Sequence, residues 1–313
     1  MKKTLAMMVA AFAFAAAAKA GTINTFCQYL GNLASPSEAQ QTAYASFLSD
    51  NNIDFGVFYG PTNAVNFGLS AEGYSAVSTF KANFPWRTLV YKTSTWEIAH
   101  HYDLACNTSY HIQTEAYVMQ KISTGEQVLF VMPTSTKDSG LKKTSGAAVA
   151  RNYTNDRKGD YPSALIVMAI PYTKGLKNEN DSHLWNADLT GNGYVRTLSA
   201  SNVGAVFAKD ANITSYSGAA VTCVTVNGSD SKAATATISR LMPCTVVFQD
   251  WDGTVLKTET VLEGGDATPP ADPKREEYVF AGWDVSYQNI QANVTLTAQY
   301  DLENSPGMIM MCW

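Results

Sequence analysis

No two of the five cysteines in this chain (Cys27, Cys106, Cys223, Cys244, Cys312) stand at CxxC spacing, which removes the usual zinc and redox signatures. Their odd number leaves room for one or two disulfides with a thiol over, and equally for isolated buried thiols. Lys and Arg never cluster, and the balance is acidic, with 22 basic against 27 acidic residues. A nucleic-acid binder needs a basic face, so that class is excluded. Beyond the first twenty residues no apolar run reaches the ~18 residues of a membrane-spanning helix. No Gly-x-Ser-x-Gly surrounds Ser135 or Ser231, so neither sits in the strained turn that exposes a serine nucleophile.

What is present begins with Lys2 and Lys3, an apolar run from Leu5 to Ala18, and Ala18-Lys19-Ala20. That pattern reads as a bacterial secretory signal over residues 1–20. Its removal takes Lys2, Lys3 and Lys19 and moves the net charge from −5 to −8. The expected location is secreted or extracytoplasmic, periplasm or cell surface.

Residues 21–241 alternate strand and helix signals. Thr22–Phe26 reads as a strand. Ser35-Pro36-Ser37-Glu38 reads as a helix start with Ser35 as the cap, and the helix dies at Asp50-Asn51-Asn52. Strands are expected at Ile53–Tyr59 and Trp86–Lys92, and a hairpin at Ala116–Lys121 and Gln127–Met132. A helix is expected at Ala147–Asp156, and closing strands near Val203–Ala208, Val221–Val226 and Ala233–Arg240. Ala164–Ile170, an unbroken apolar run between Pro162 and Pro171, reads as a central strand buried on both faces. Leu241-Met242-Pro243 reads as a linker.

From 245 to 301 the pattern changes to short alternating strands punctuated by Asp252-Gly253, Gly264-Gly265 and Pro269, Pro270 and Pro273, the mark of a compact β module. Val294, Leu296, Ala298 and Tyr300 form a dry face opposite Thr295, Thr297 and Gln299, read as an antiparallel strand. The expected core is Phe248, Leu256, Tyr278, Phe280, Trp283 and Leu296. Residues 302–313 are a tail. The series strand, WDGTVLKT, GG, PADPKREEYVFAGWD, NVTLTAQY closely resembles the Listeria–Bacteroides repeat, the internalin B-repeat type of β-grasp-like domain. That resemblance implies a spacer or binding unit of surface proteins, with Trp251 and Trp283 at positions that the family fills with packing residues.

The order of elements over Gly21–Arg240 resembles the endonuclease/exonuclease/phosphatase family. The resemblance implies an α+β class, a DNase I-like α/β/β/α two-sheet sandwich, and Mg²⁺ chemistry. Where that family carries a Gln-Glu metal ligand, this chain has Tyr59 and Gly60. Where it carries Asn-Thr-His-Leu, the chain has Pro133, Thr134 and Ser135. Where it carries Gly-Asp-x-Asn, the chain has Ala169, Ile170, Pro171 and Tyr172; the closing Ser-Asp-His is Ser229-Asp230-Ser231. Phosphodiester hydrolysis by this route needs a carboxylate-held cation and a base, so the expectation is a pseudoenzyme without Mg²⁺ and with an unknown protein or glycan partner. A shifted register would offer Asp54 or Asp160 as substitutes. The alternative is an active secreted hydrolase, either a metal-dependent phosphoesterase or a relocated site with Ser135 or Ser231 and His111 or His183.

Two further groups invite a metal reading. His100, His101, Asp103, Cys106 and His111 match no zinc spacing and read as a polar loop. Asp188, Thr190 and Asn192 imitate the first half of a calcium loop, but position 12 is Ser199, so a Gly/Asn-rich turn is preferred over a weak Ca²⁺ site. Tyr59 and Tyr172 are placed at the degenerate cleft, either plugging it or lining a stacking site.

Overall fold

The computed structural model describes residues 21–30, 36–60, 69, 73–79, 87–107, 112–135, 144–171, 179–198, 204–226 and 229–303. The signal segment, Ser35, His111, Tyr172, Ser199 and Cys312 lie outside them, as do the side chains of Cys106, Ser135, His183 and Asp230. The described chain divides into two compact units between Pro243 and Cys244. Among the described residues no helix is long and apolar enough to cross a membrane.

The front unit contains β1 (Gly21–Tyr29), α1 (Glu38–Asp50), β2 (Phe55–Tyr59), β3 (Tyr74–Thr79), β4 (Arg87–Lys92), β5 (Trp96–Asn107), β6 (Ile112–Lys121) and β7 (Gln127–Ser135). It continues with α2 (Thr144–Lys158), β8 (Leu165–Ile170), α3 (Glu179–Gly191), β9 (Val195–Arg196), β10 (Ala205–Lys209), β11 (Ile213–Val226) and β12 (Ser229–Arg240). They form two six-stranded sheets, β11-β12-β1-β2-β4-β3 and β5-β6-β7-β8-β10-β9. Each sheet has one parallel pair, β1 with β2 and β7 with β8. Parallel neighbours need a crossover, and α1 and α2 supply it.

Side-chain alternation decides how the layers meet. Ile23, Cys27, Phe55, Val57 and Leu89 of the first sheet share one dry cluster with Tyr117, Phe130, Leu165, Val167 and Val206 of the second. The opposite face of the second sheet, with Ile166, Met168 and Ile170, packs on Ala147, Ala150, Trp185 and Leu189 of α2 and α3. The outer face of the first sheet packs Phe26 and Phe58 on Tyr44, Phe47 and Leu48 of α1. Phe26 lies over Gly56, where a Cβ would meet its ring at 2.1 Å. The apolar run 165–170 is buried throughout, as a strand between two layers must be.

Several local expectations change. The cap of α1 is Ser37, not Ser35: its Oγ accepts the Gln40 N–H, and Gln40 returns a bond to the Ser37 N–H. The capping box therefore starts after Pro36, where Gln40 supplies the third-position acceptor. The stretch read as a polar loop around His100 and His101 is strand β5. Bulges between Ile98 and His100 and between Tyr102 and Ala105 break its two-residue period. Helix α3 was concealed by Asn, Asp and Ser, poor interior helix formers.

The C-terminal module consists of β13 (Pro243–Gln249), β14 (Val255–Leu262), β15 (Tyr278–Trp283) and β16 (Val294–Leu302) in the order β14-β13-β16-β15. β16 lies parallel to β13 and antiparallel to β15, so it is antiparallel on one side only. The core holds Cys244, Val246, Phe248, Ala267, Ile290 and Leu296, with Trp283 half-buried against it. Leu256, expected inside, is exposed on the edge strand β14. Trp251 is also outside, 52% exposed.

Candidate functional site

Strand direction brings most of the positions singled out in the sequence to one end of the front unit. β1 and β2 run parallel and finish at Tyr29 and Tyr59; β12 begins beside them at Ser229. β7 and β8 finish at Ser135 and Ile170. Tyr59 crosses between the sheets, its hydroxyl donating to the Ala169 carbonyl at 2.8 Å. It is fully buried. Burial, first of all, holds its phenol well above the ordinary tyrosine range, so it remains a protonated donor. Tyr59 is thus a core residue and not a cleft lining. Gly60 follows with φ +106°, a conformation that suits glycine.

The other positions do not converge on Tyr59. Ile170 lies in the cluster facing the helices. Ser231 accepts from Gln28 Nε2 at 2.8 Å, and Gln28 shares the α1-facing side of β1 with Phe26 by alternation. Asp54 and Asp160 are at the opposite end. Asp54 accepts from Trp96 Nε1 and the Asn24 N–H, both at 2.8 Å, and Asp160 accepts from the Tyr102 hydroxyl at 2.7 Å.

A polar group that the sequence reading missed lies between the sheets. Glu115, fully buried, bonds to His101 Nε2 at 2.7 Å and accepts from Thr79 Oγ1 at 2.8 Å and the Tyr117 hydroxyl at 3.1 Å. The imidazole stacks on Tyr117 with centroids 4.3 Å apart and planes 9° from parallel. Nearby, buried Arg87 donates to Gln113 Oε1 at 3.1 Å. Burial first, then the Glu115 charge, pushes the Tyr117 phenol upward. Gln113, Glu115 and Tyr117 alternate along β6 with Met119; that shared parity was the one available signal. His101 is one-third exposed, so the buried carboxylate reaches the surface through its imidazole partner.

The stretch read as a Gly/Asn-rich turn, with a weak Ca²⁺ site as its alternative, is the end of a helix. Asp188 and Thr190 belong to helix α3. The Asp188 carboxylate pairs with Arg151 Nε at 3.0 Å, Thr190 Oγ1 donates to the Asn186 carbonyl, and Asn192 Nδ2 donates to the Asp188 carbonyl. These are helix-end bonds, which turn the Asp188, Thr190 and Asn192 side chains to the backbone and to Arg151. Among the described residues no group of His, Cys, Asp and Glu has the arrangement of a metal site. Cys27 and Cys223 are free buried thiols whose ionisation burial pushes well upward.

The module holds a second constellation. The guanidinium of Arg275 lies between two rings, its Cζ 4.1 Å from the Trp251 centroid and 3.9 Å from that of Tyr278, with Tyr300 at 5.7 Å. Tyr300 donates to Asp250 Oδ1 at 2.7 Å.

No family model matches the chain, and no curated protein matches it. Solved structures do. An endonuclease/exonuclease/phosphatase family protein from Bacteroides thetaiotaomicron is 10% identical with a TM-score of 0.51, covering 70% of this chain and 98% of its own. The human nocturnin catalytic domain, solved with a bound sulfate, is 11% identical with a TM-score of 0.52, covering 70% of this chain and 93% of its own. At these identities the likeness shows a fold, the endonuclease/exonuclease/phosphatase fold of DNase I type. Among the described residues, the side chains at these strand ends offer few ligands to the Mg²⁺ that the resemblance implies. Tyr59 spends its hydroxyl on a carbonyl, Ile170 has no donor, and Glu115 already serves three side chains.

Proposed function

We propose that this chain is an exported protein whose front unit keeps the phosphoesterase fold without its chemistry and acts as a binding or structural block at the cell surface. The C-terminal module, on this reading, is a Listeria–Bacteroides repeat of β-grasp type. The observation that carries the proposal is the Tyr59–Ala169 bond. It joins the strand end where the family's metal-binding glutamate would stand to the one where its water-activating aspartate would stand, and the group between them is a phenol that stays protonated at physiological pH. A hard dication gains nothing from such a site over water. The four-stranded module with β16 between β13 and β15 supports the repeat reading, and the acidic balance argues against nucleic acid.

The test is a screen of phosphodiesters and phosphomonoesters with Mg²⁺ and Mn²⁺, run on wild type, Asp230→Ala and His101→Ala. No turnover above buffer is expected. Metal-dependent turnover abolished by Asp230→Ala would establish a phosphoesterase, and turnover abolished by His101→Ala a relocated hydrolase built on the His101–Glu115 pair.

A further inference from the structure

We propose that the tip of the C-terminal module binds a neutral carbohydrate, with Trp251 as the stacking platform and Arg275 and Asp250 bonding to sugar hydroxyls. This goes beyond the reading above and does not depend on whether the front unit turns over phosphoesters.

The tip is built to hold its shape. In the β13–β14 turn the Asp250 N–H donates to the Thr254 carbonyl at 2.7 Å and the Gly253 N–H to the Asp250 carbonyl at 3.0 Å, with Gly253 at φ +88°. Asp250 Oδ1 accepts the Trp251 N–H at 2.8 Å, and Asp252 Oδ1 accepts the Thr254 N–H at 2.9 Å. Trp251 therefore stands on a fixed backbone while half its surface faces water, an uncommon fate for the largest apolar side chain.

Arg275 faces Trp251 from a second tight turn, in which the Tyr278 N–H donates to the Arg275 carbonyl at 3.2 Å. Stacking on Trp251 and Tyr278 fixes the guanidinium plane. Among the described residues Arg275 makes no side-chain hydrogen bond or ion pair, so its N–H donors stay open. Asp250 accepts both of its bonds through Oδ1, leaving its Oδ2 as an acceptor for a ligand, while Asp252 is engaged by Thr254.

The donor and acceptor set selects the ligand. A free anion would meet two carboxylates against one guanidinium, which repels it on balance. An apolar peptide would strip water from the charged groups and give nothing back. A pyranose ring offers a C–H face for the indole and adjacent hydroxyls that both donate and accept, so it satisfies the platform, the guanidinium and the Asp250 carboxylate together.

The experiment is affinity electrophoresis of the full chain through gels containing soluble β-glucan, galactomannan or xylan, with alginate as the acidic comparison. At least one neutral polysaccharide should retard the protein. Trp251→Ala should weaken that binding about tenfold or more, Arg275→Ala should weaken it less, and Trp251→Phe, which keeps a ring, should retain part of it, with unchanged thermal unfolding in each variant. Retardation by none of the neutral polysaccharides, or by alginate alone, would overturn the proposal. So would binding that survives Trp251→Ala, or a proline-rich peptide binding at this tip in place of the glycans.

Discussion

Tyr59 of the front unit and Trp251 of the module both stand at or just past the end of a strand, and they meet opposite environments. Tyr59 is enclosed and its hydroxyl is spent on a carbonyl; Trp251 is half open, with an arginine laid on its ring. The same contrast runs through both units. Among the described exposed large hydrophobic residues, Ile122 and Tyr216 belong to the front unit, while Trp251, Val255, Val279 and Leu302 are among those of the module. Two sheets covered by helices can enclose their aromatic residues, and a lone four-stranded sheet has too little volume to do so. The front unit thus behaves as a closed block and the module as a surface that displays side chains.

The strongest way to break this comparison is Arg240→Met. Arg240 is buried and bonds Glu126 at 3.2 Å, Asp210, and the carbonyls of Ser163 and Gln127. Methionine would leave two carboxylates inside without their guanidinium, with Lys121 3.9 Å from Glu126 as a weak substitute, at a cost of about 3–5 kcal/mol. Calorimetry should show the front transition falling by roughly 10 °C or more while the module transition stays. If both fall together, the units unfold as one.

A smaller effect separates core from display within the module. Trp283 packs on Phe248 at 4.9 Å and Phe280 at 5.4 Å but is only half-buried, so Trp283→Ala should cost about 2–3 kcal/mol, below the range for enclosed aromatics. Trp251→Ala should cost under about 0.5 kcal/mol. Equal losses in the module's melting temperature would mean that Trp251 is a structural residue after all.

The smallest expected effect concerns pH. The Thr254 N–H holds the Asp252 carboxyl below its ordinary value of 3.8. A depressed carboxylate contributes stability that is present above pH 3.8 and is lost as pH falls through its folded value. The acid limb of the module's melting curve should therefore be flatter in Asp252→Asn than in wild type. Identical limbs would show that the turn does not depend on this charge.

The parts of the fold that were legible have strong local signals. The doubly buried strand at 165–170, the hairpin turning at Ser123-Thr124-Gly125 and the helix ending at Asn51 follow from apolar periodicity and turn chemistry. Strand β5 was illegible because its bulges shift the alternation twice, and α3 because its Asn, Asp and Ser suggest a turn. At the candidate sites the strand ends near Tyr59 and Ile170 could be located in the sequence, but not that they face each other across two sheets. The Glu115–His101–Thr79 cluster could not, because each member looks like an ordinary polar residue on an edge strand or hairpin.

The sequence by itself determined where the strongly periodic strands lie, that the run at 165–170 must be buried, and where one kind of unit gives way to another. Those are properties of neighbouring residues, set by backbone sterics and by the periodic return of apolar side chains to one face. The tertiary structure alone decided which polar groups meet. The Thr79–Glu115 bond spans 36 residues and the Tyr59–Ala169 bond 110. Such contacts depend on how two sheets register across a shared core, where the packing of many side chains at once, and no local pattern, selects the partner.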